Sequence, residues 1–311
     1  MSKTIRDAYG EALLEFGEND ERIVVLDADV SGSTKSAVFG SKIPDRFYNM
    51  GIAEANMVGV AAGMAAEGKI PFVNTFAVFL ASIGLLGARS FGSYSNLPIK
   101  FMGAYGGLSD SYDGPTHHSI EDIAVFRALP NFEIYVASDE WQTKWLVSNA
   151  IKRNKPMYIR LSRNAVPAIY NSQTTFMTGK GKVIQDGTDA AVITCGVLVQ
   201  EAIKAAEVLK QRGFSVRVID MFNIKPIDSE LVLETAAKTN LIVTAEEHNI
   251  YGGLGSAVAE VIAGNGIACK QLFVGIEDTH AETGNYAELM SKYKIDSASI
   301  LSSILKGLGK V

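Results

Sequence analysis

Short apolar, β-branched runs recur along this chain, each separated from the next by a stretch with helical spacing. This alternation constrains the fold more than any other feature. Residues 23–26 (IVVL), 71–76 (PFVNTF), 99–103, 132–137 and 156–161 read as strands. Helical patterns cover the N-terminal MSKTIRDAYGEALLEF, residues 54–67, residues 78–92 and a segment ending at Ile151. Strands alternating with helices imply parallel β-α-β units. Runs that are apolar throughout suit parallel strands buried on both faces. From residue 164 to about 185 the periodicity fades and Asn, Ser, Thr and Gly accumulate, as in a linker with a hairpin leading into the next unit. The alternation then restarts, with strands at 189–194, 215–220 and 241–246 and helices at 199–211, 229–239 and 252–263. The expected fold class is α/β in two domains: residues 1–165 with a mainly parallel sheet, a linker at 166–185, and a smaller α/β domain at 186–311.

Composition narrows the function. The net charge of −5 has no basic stripe, which argues against nucleic acid as a partner. The two cysteines, Cys195 and Cys269, form no CxxC pair and read as small core hydrophobes, consistent with a reducing cytoplasm. The first residues form a charged amphipathic pattern, not a signal peptide. The apolar stretch 72–86 is interrupted by Asn74, Thr75, Ser82 and Gly84, so no membrane span is expected.

In open parallel sheets ligands bind beyond the carboxyl ends of the strands. The unusual residues follow strands here. Asp27 and Asp29 follow IVVL, and Phe76 and Phe79 lie at and after the second strand. AYGGLSDSYDGPTHH follows the third strand, and Arg163 follows the last of this half. Glu54 enters a helix of small residues that another helix or chain can approach. Burial there should favour its neutral acid, which can donate to a ring nitrogen and exchange a proton with it. The plainer reading is a helix N-terminal Glu favoured by the dipole. Phe76 and Phe79 could wall a heteroaromatic ring, or be ordinary core at helical spacing. Asp113 and His117 in DGPTHH could bond substrate hydroxyls or phosphate, or simply build a turn. Arg163, with Arg6 and Ser33, could grip phosphate, or each arginine could sit in a surface ion pair. No metal cluster, GxGxxG or Walker loop is evident.

DADVSGST, NMGIAEANMVGVAAGMA, PFVNTFAVFLA, DGPTHHSIEDIAVFRALPN and RLSR, in this order, resemble the C-terminal half of transketolases over nearly the whole chain. The resemblance is closest to split transketolases, whose halves are separate polypeptides. It implies thiamine diphosphate as cofactor and a first domain that binds its pyrimidine ring. Glu54 would be the glutamate on the aminopyrimidine, promoting the tautomer that takes a proton from the thiazolium carbon. Phe76 and Phe79 would be the stacking wall, and Asp29 an acid near the cofactor at the subunit contact. Asp113 would read a substrate hydroxyl, and His117 would lie near the sugar chain and phosphate. Arg6, Ser33 and Arg163 would hold the phosphate end.

The family's Gly-Asp-Gly…Asn pattern for metal diphosphate is missing, and YDGP does not supply it. The resemblance therefore places the diphosphate and its Mg2+ or Ca2+ on an N-terminal-half partner, with the pair assembled as a heterotetramer. The implied reaction moves a glycolaldehyde unit between sugar phosphates. Two positions depart from the pattern. Tyr105 stands where a histidine usually precedes the Asp of DGPTH by eight residues, which leaves a ketose other than xylulose 5-phosphate open. Ser82 replaces an aromatic near the wall. Glu246 and His248 in the second domain read as structural. The competing readings are the beta chain of a 2-oxoacid dehydrogenase complex and a non-catalytic scaffold that kept the fold.

Overall fold

The computed structural model describes residues 4–310. In chain order its strands are β1 (Ile23–Asp27), β2 (Phe47–Asn49), β3 (Ile70–Phe76), β4 (Lys100–Ala104), β5 (Glu133–Val136), β6 (Met157–Arg160), β7 (Lys182–Gln185), β8 (Ala190–Thr194), β9 (Val216–Asp220), β10 (Asn223–Lys225), β11 (Leu241–Asn249) and β12 (Lys270–Ile276). They form a seven-stranded sheet in the order β10-β5-β6-β4-β3-β1-β2 and a five-stranded sheet in the order β12-β11-β8-β9-β7. β1, β3, β4, β5 and β6 are buried along their whole length, as their apolar runs imply. The helix Ile5–Gly17 covers one face of the first sheet with Tyr9 and Leu13 against Phe72 and Met102. The helix Glu54–Ala66 covers the other, with Met57 and Val58.

From β1 the chain steps to β2 on one side, then crosses back to β3 on the other. The β1/β3 seam is thus a topological switch point, where α/β sheets hold their ligands. The register levels the strand ends. Asp27 pairs with Asn74, Phe76 with Ala104, and Gly103 with Arg160. The segments after β1, β3, β4 and β6 therefore rise from one edge.

Three details differ from the sequence reading. The helix expected over 78–92 is broken into Ala77–Ala81, Leu85–Gly87 and a π-helical turn at Ala88–Tyr94. Gly87 lies so close to Val58 that an added Cβ would come within 2.7 Å of its Cγ1, so the last piece packs tightly on the Glu54 helix. The hairpin expected before the second domain is instead the edge strand β7, paired antiparallel with β9 and not with its sequence neighbour β8. Finally, β10 belongs to the second half of the chain yet pairs antiparallel with β5, Asn223 opposite Tyr135, and closes the first sheet.

Candidate active site

Gly51 sits at φ +71, a conformation glycine adopts without strain, and the turn it makes delivers the chain into the helix that Glu54 begins. Glu54 is 3% exposed, and its Oε1 accepts from Thr75 Oγ1 at 3.2 Å. Thr75 is the penultimate residue of β3, so the carboxyl group lies beside the strand end that carries Phe76. The Phe76 and Phe79 rings stack at 5.8 Å, and Tyr105 stacks on Phe76 at 4.6 Å. The His117 ring meets Phe76 and Phe79 edge-on at 6.0 and 5.4 Å. The connections after β3 and β4 thus share one aromatic cluster beside the switch point.

Tyr105 leaves β4 with φ +61, a left-handed conformation unusual for an aromatic residue. Its hydroxyl is held by Arg6 Nη1 at 2.5 Å, and the same nitrogen donates to the Ser33 carbonyl at 3.2 Å. The guanidinium groups of Arg6 and Arg163 lie 5.4 and 5.3 Å from the Tyr105 ring centre, within cation–π range. Arg163 Nη1 pairs with Asp110 Oδ1 at 3.1 Å. Burial pushes the Asp110 carboxyl up to about 6, helped by neighbouring Asp113 and opposed by Arg163 and His117. Asp113 is exposed. The turn that follows it requires glycine. Gly114 has φ +78, and an added Cβ would collide with Thr283 Oγ1. The His117 N–H donates to the Gly114 carbonyl at 2.9 Å.

Asp27, at the end of β1, is buried and accepts from Val30 N at 2.7 Å, Thr34 Oγ1 at 2.7 Å and Ser36 Oγ at 2.8 Å. Burial raises its carboxyl above the usual range. These bonds shape the turn that presents Ser33 to Arg6. Asp29 is exposed at φ +65 and accepts from Asn49 Nδ2 at 2.8 Å.

Most of the residues singled out from the sequence converge. Glu54, Phe76 and Phe79 with His117 line one end, and Tyr105, Arg6, Ser33 and Arg163 the other. Asp29 is exposed and bonded to Asn49 of β2, and Asp113 is on the loop that carries His117. Ser82 does not join them through any bond of its own, because its exposed hydroxyl turns back to the Val78 carbonyl at 2.6 Å. Glu246 accepts from Leu254 N at 2.6 Å and Gly255 N at 2.8 Å, capping a helix, and His248 Nδ1 lies 2.7 Å from the Asn249 carbonyl oxygen. His248 Nε2 also accepts from Ala124 N of the first domain at 3.3 Å. Sequence reasoning noted Asp27 after the first strand without giving it a role, and it missed Thr75 and Asp110. Of the two missed, Asp110 left a signal, as a second aspartate three residues before Asp113. Among the described residues no group of three His, Cys, Asp or Glu converges as a metal centre.

A model of the transketolase pyrimidine-binding domain matches residues 1–168, and one of the transketolase C-terminal domain matches residues 179–300. A Methanocaldococcus jannaschii protein named as a transketolase C-terminal section is 40% identical over 99% of this chain and 97% of its own length. A chain of the apulose-4-phosphate transketolase of Phocaeicola vulgatus is 36% identical over 98% of this chain and 97% of its own. A split-gene transketolase solved as an inactive β4 tetramer superposes with a TM-score of 0.90 at 40% identity, covering 99% of each chain.

Proposed function

The chain belongs to the transketolase family, spanning its pyrimidine-binding and C-terminal domains, and from that membership we propose that it is one subunit of a two-chain transketolase. In this reading it moves a two-carbon glycolaldehyde unit from a ketose phosphate to an aldose phosphate, together with an N-terminal-half partner. The observation that carries the reading is the buried Glu54 carboxyl, bonded to Thr75 next to the Phe76–Phe79 wall. That pairing of an acid with a flat apolar face fits the aminopyrimidine ring of thiamine diphosphate.

When bound, thiamine diphosphate supplies the carbon nucleophile and stores the electron pair while carbon–carbon bonds break and form. The chain's own residues bind and orient. Glu54 holds a proton at a pyrimidine ring nitrogen and exchanges it, Phe76 and Phe79 fix the ring plane, and Asp29 and Ser82 lie at its margin. His117 and Asp113 bond hydroxyls of the sugar chain, and Tyr105 takes the place beside the transferred unit. Arg6, Ser33 and Arg163 hold the phosphate, since the planar guanidinium fork matches its oxygens.

The diphosphate and its Mg2+ or Ca2+ fall to the partner. Uncovered apolar surface near Glu54 supports a second chain there: Ile52 is 84% exposed and Leu86 74%, and open space surrounds Gly59 and Gly63 on the outer face of the Glu54 helix. The similar split-gene protein forms an inactive tetramer of one chain type, which supports a heterotetramer as the working form. The relative named for apulose 4-phosphate, with Tyr105, supports a donor other than the commonest pentose phosphate.

The test mixes this chain with the N-terminal-half partner, thiamine diphosphate and Mg2+. Transfer between sugar phosphates is expected only in the mixture. Glu54→Ala should lower the reconstituted rate by about a hundredfold, the usual scale for a lost proton-transfer group, with a smaller effect on cofactor affinity. Near-normal turnover by that variant, or turnover by either chain alone, would overturn the reading.

A further inference from the structure

We propose that Glu247, in the second domain, is a positioning residue for the substrate loop of the first, residues 105–119, which carries Tyr105, Asp110, Asp113 and His117. The proposal rests on the transketolase reading of that loop. The neck of the loop is closed by its own backbone. Gly106 N donates to the Leu161 carbonyl at 3.0 Å, Gly107 N to Ser119 at 2.9 Å, and Ser119 N to Gly107 at 3.0 Å. The next donor, Leu108 N, is accepted by Glu247 Oε1 at 2.8 Å. Glu247 lies in β11 and is 4% exposed. Its main-chain oxygen accepts from Arg160 Nη2 at 2.9 Å, and the same nitrogen donates to the Ser119 carbonyl at 2.7 Å. Arg160 Nε pairs with Asp122 at 2.9 Å. One buried guanidinium therefore ties the end of the loop to the strand that bears Glu247.

The contact is as close as a chain allows. Gly107 has φ +67, and a Cβ there would overlap Glu247 Cδ. Farther out, Gly284 N donates to Ser111 at 3.0 Å and Asn249 N to Ile120, just past the loop, at 2.8 Å, so the second domain holds the loop at further points. A loop that begins with a left-handed tyrosine and exposes its sugar-reading Asp113 needs such an external brace to hold one shape. Burial pushes the Glu247 carboxyl up to about 7, with the Arg160 charge and the Leu108 N–H pulling it down. Either protonation state keeps an oxygen for Leu108, so the role is one of reach and not of charge.

Two substitutions separate reach from charge. Glu247→Asp keeps the charge but withdraws the carboxyl by one methylene. Glu247→Gln keeps an oxygen in place and removes the charge. In the assembled two-chain enzyme, Glu247→Asp should raise KM for the ketose phosphate about tenfold, the scale of one buried hydrogen bond, with kcat and the Kd for thiamine diphosphate within about twofold. Glu247→Gln should stay near wild type. Hydrogen exchange on the full chain alone should show faster exchange of the Leu108 amide in the Asp variant and not in the Gln variant. The opposite ranking of the two variants, or an unchanged Leu108 amide in Glu247→Asp, would overturn the proposal. If no variant or wild type transfers sugar units, the function assigned above fails, and the exchange result alone decides whether Glu247 braces the loop.

Discussion

Among the side chains of the site, Arg163 is bound twice by its own protein, to Asp110 and over the Tyr105 ring. A phosphate must compete with Asp110 for it. Arg163→Ala should therefore raise KM for phosphorylated sugars about tenfold or more while leaving that for free sugars unchanged, and equal effects on both would remove the phosphate role. Asp110, pushed up to about 6, ionises as pH rises through that value. Its charge then holds Arg163 more tightly. The KM ratio of wild type to Asp110→Asn should accordingly grow between pH 5 and 7, by about threefold, whereas the ionisation of the substrate cancels in the ratio. A flat ratio would show that the pair is not in competition with substrate. Glu54 stood out in the sequence by entering a helix of small residues, and the phenylalanines and DGPTHH by residue type in segments that end or follow apolar strands. The weight of Asp110 did not, since an aspartate in a serine-rich loop looks solvated until the fold buries it. The position of Thr75 under Glu54 depends on the pairing of β3 with strands far away in sequence.

At the level of strands and helices, the apolar runs read as strands at β1, β3, β8 and β9 are buried throughout, whereas the helix expected over 78–92 is broken. The strands of three residues, β2 and β10, carry too few side chains to show a pattern. The break falls at Ser82, whose hydroxyl donates to the Val78 carbonyl, and at Gly84. β10 is fastened by Asn223, fully buried, whose Nδ2 donates to the Lys180 carbonyl at 2.7 Å and whose Oδ1 accepts from Gly179 N at 3.0 Å. Asn223→Ala would leave these linker groups without a partner and should cost about 1–3 kcal/mol in urea unfolding. A shift below about 0.5 kcal/mol would mean that the strand holds without its amide.

For the molecule as a whole, the seam between the domains is lined with carboxyl groups that prefer to stay protonated. Burial raises Glu247 to about 7 from 4.5 and Asp220 to about 7 from 3.8, the latter despite hydrogen bonds from Tyr170 and Gln142. A carboxyl whose folded value is raised binds more protons in the native state, so its contribution is complete below its unfolded value and lost as pH climbs through the folded one. Relative to Glu247→Gln/Asp220→Asn, the wild type should lose stability steadily from about pH 4 to about pH 7, by up to a few kcal/mol per group, as read by thermal melts of both proteins. Parallel melting curves across that range would mean the seam is wetter than it looks. The two-domain plan could be anticipated from the chain, but the dependence of one half on the other could not. Because an edge strand of the first sheet is supplied from beyond residue 220, a nascent polypeptide emerging from the ribosome cannot finish that sheet until the chain is made through Lys225, well into the second half. Until then β5 presents a bare row of amides and carbonyls, and crowded translation, not the mature protein, is where this fold is most exposed to pairing with the wrong neighbour.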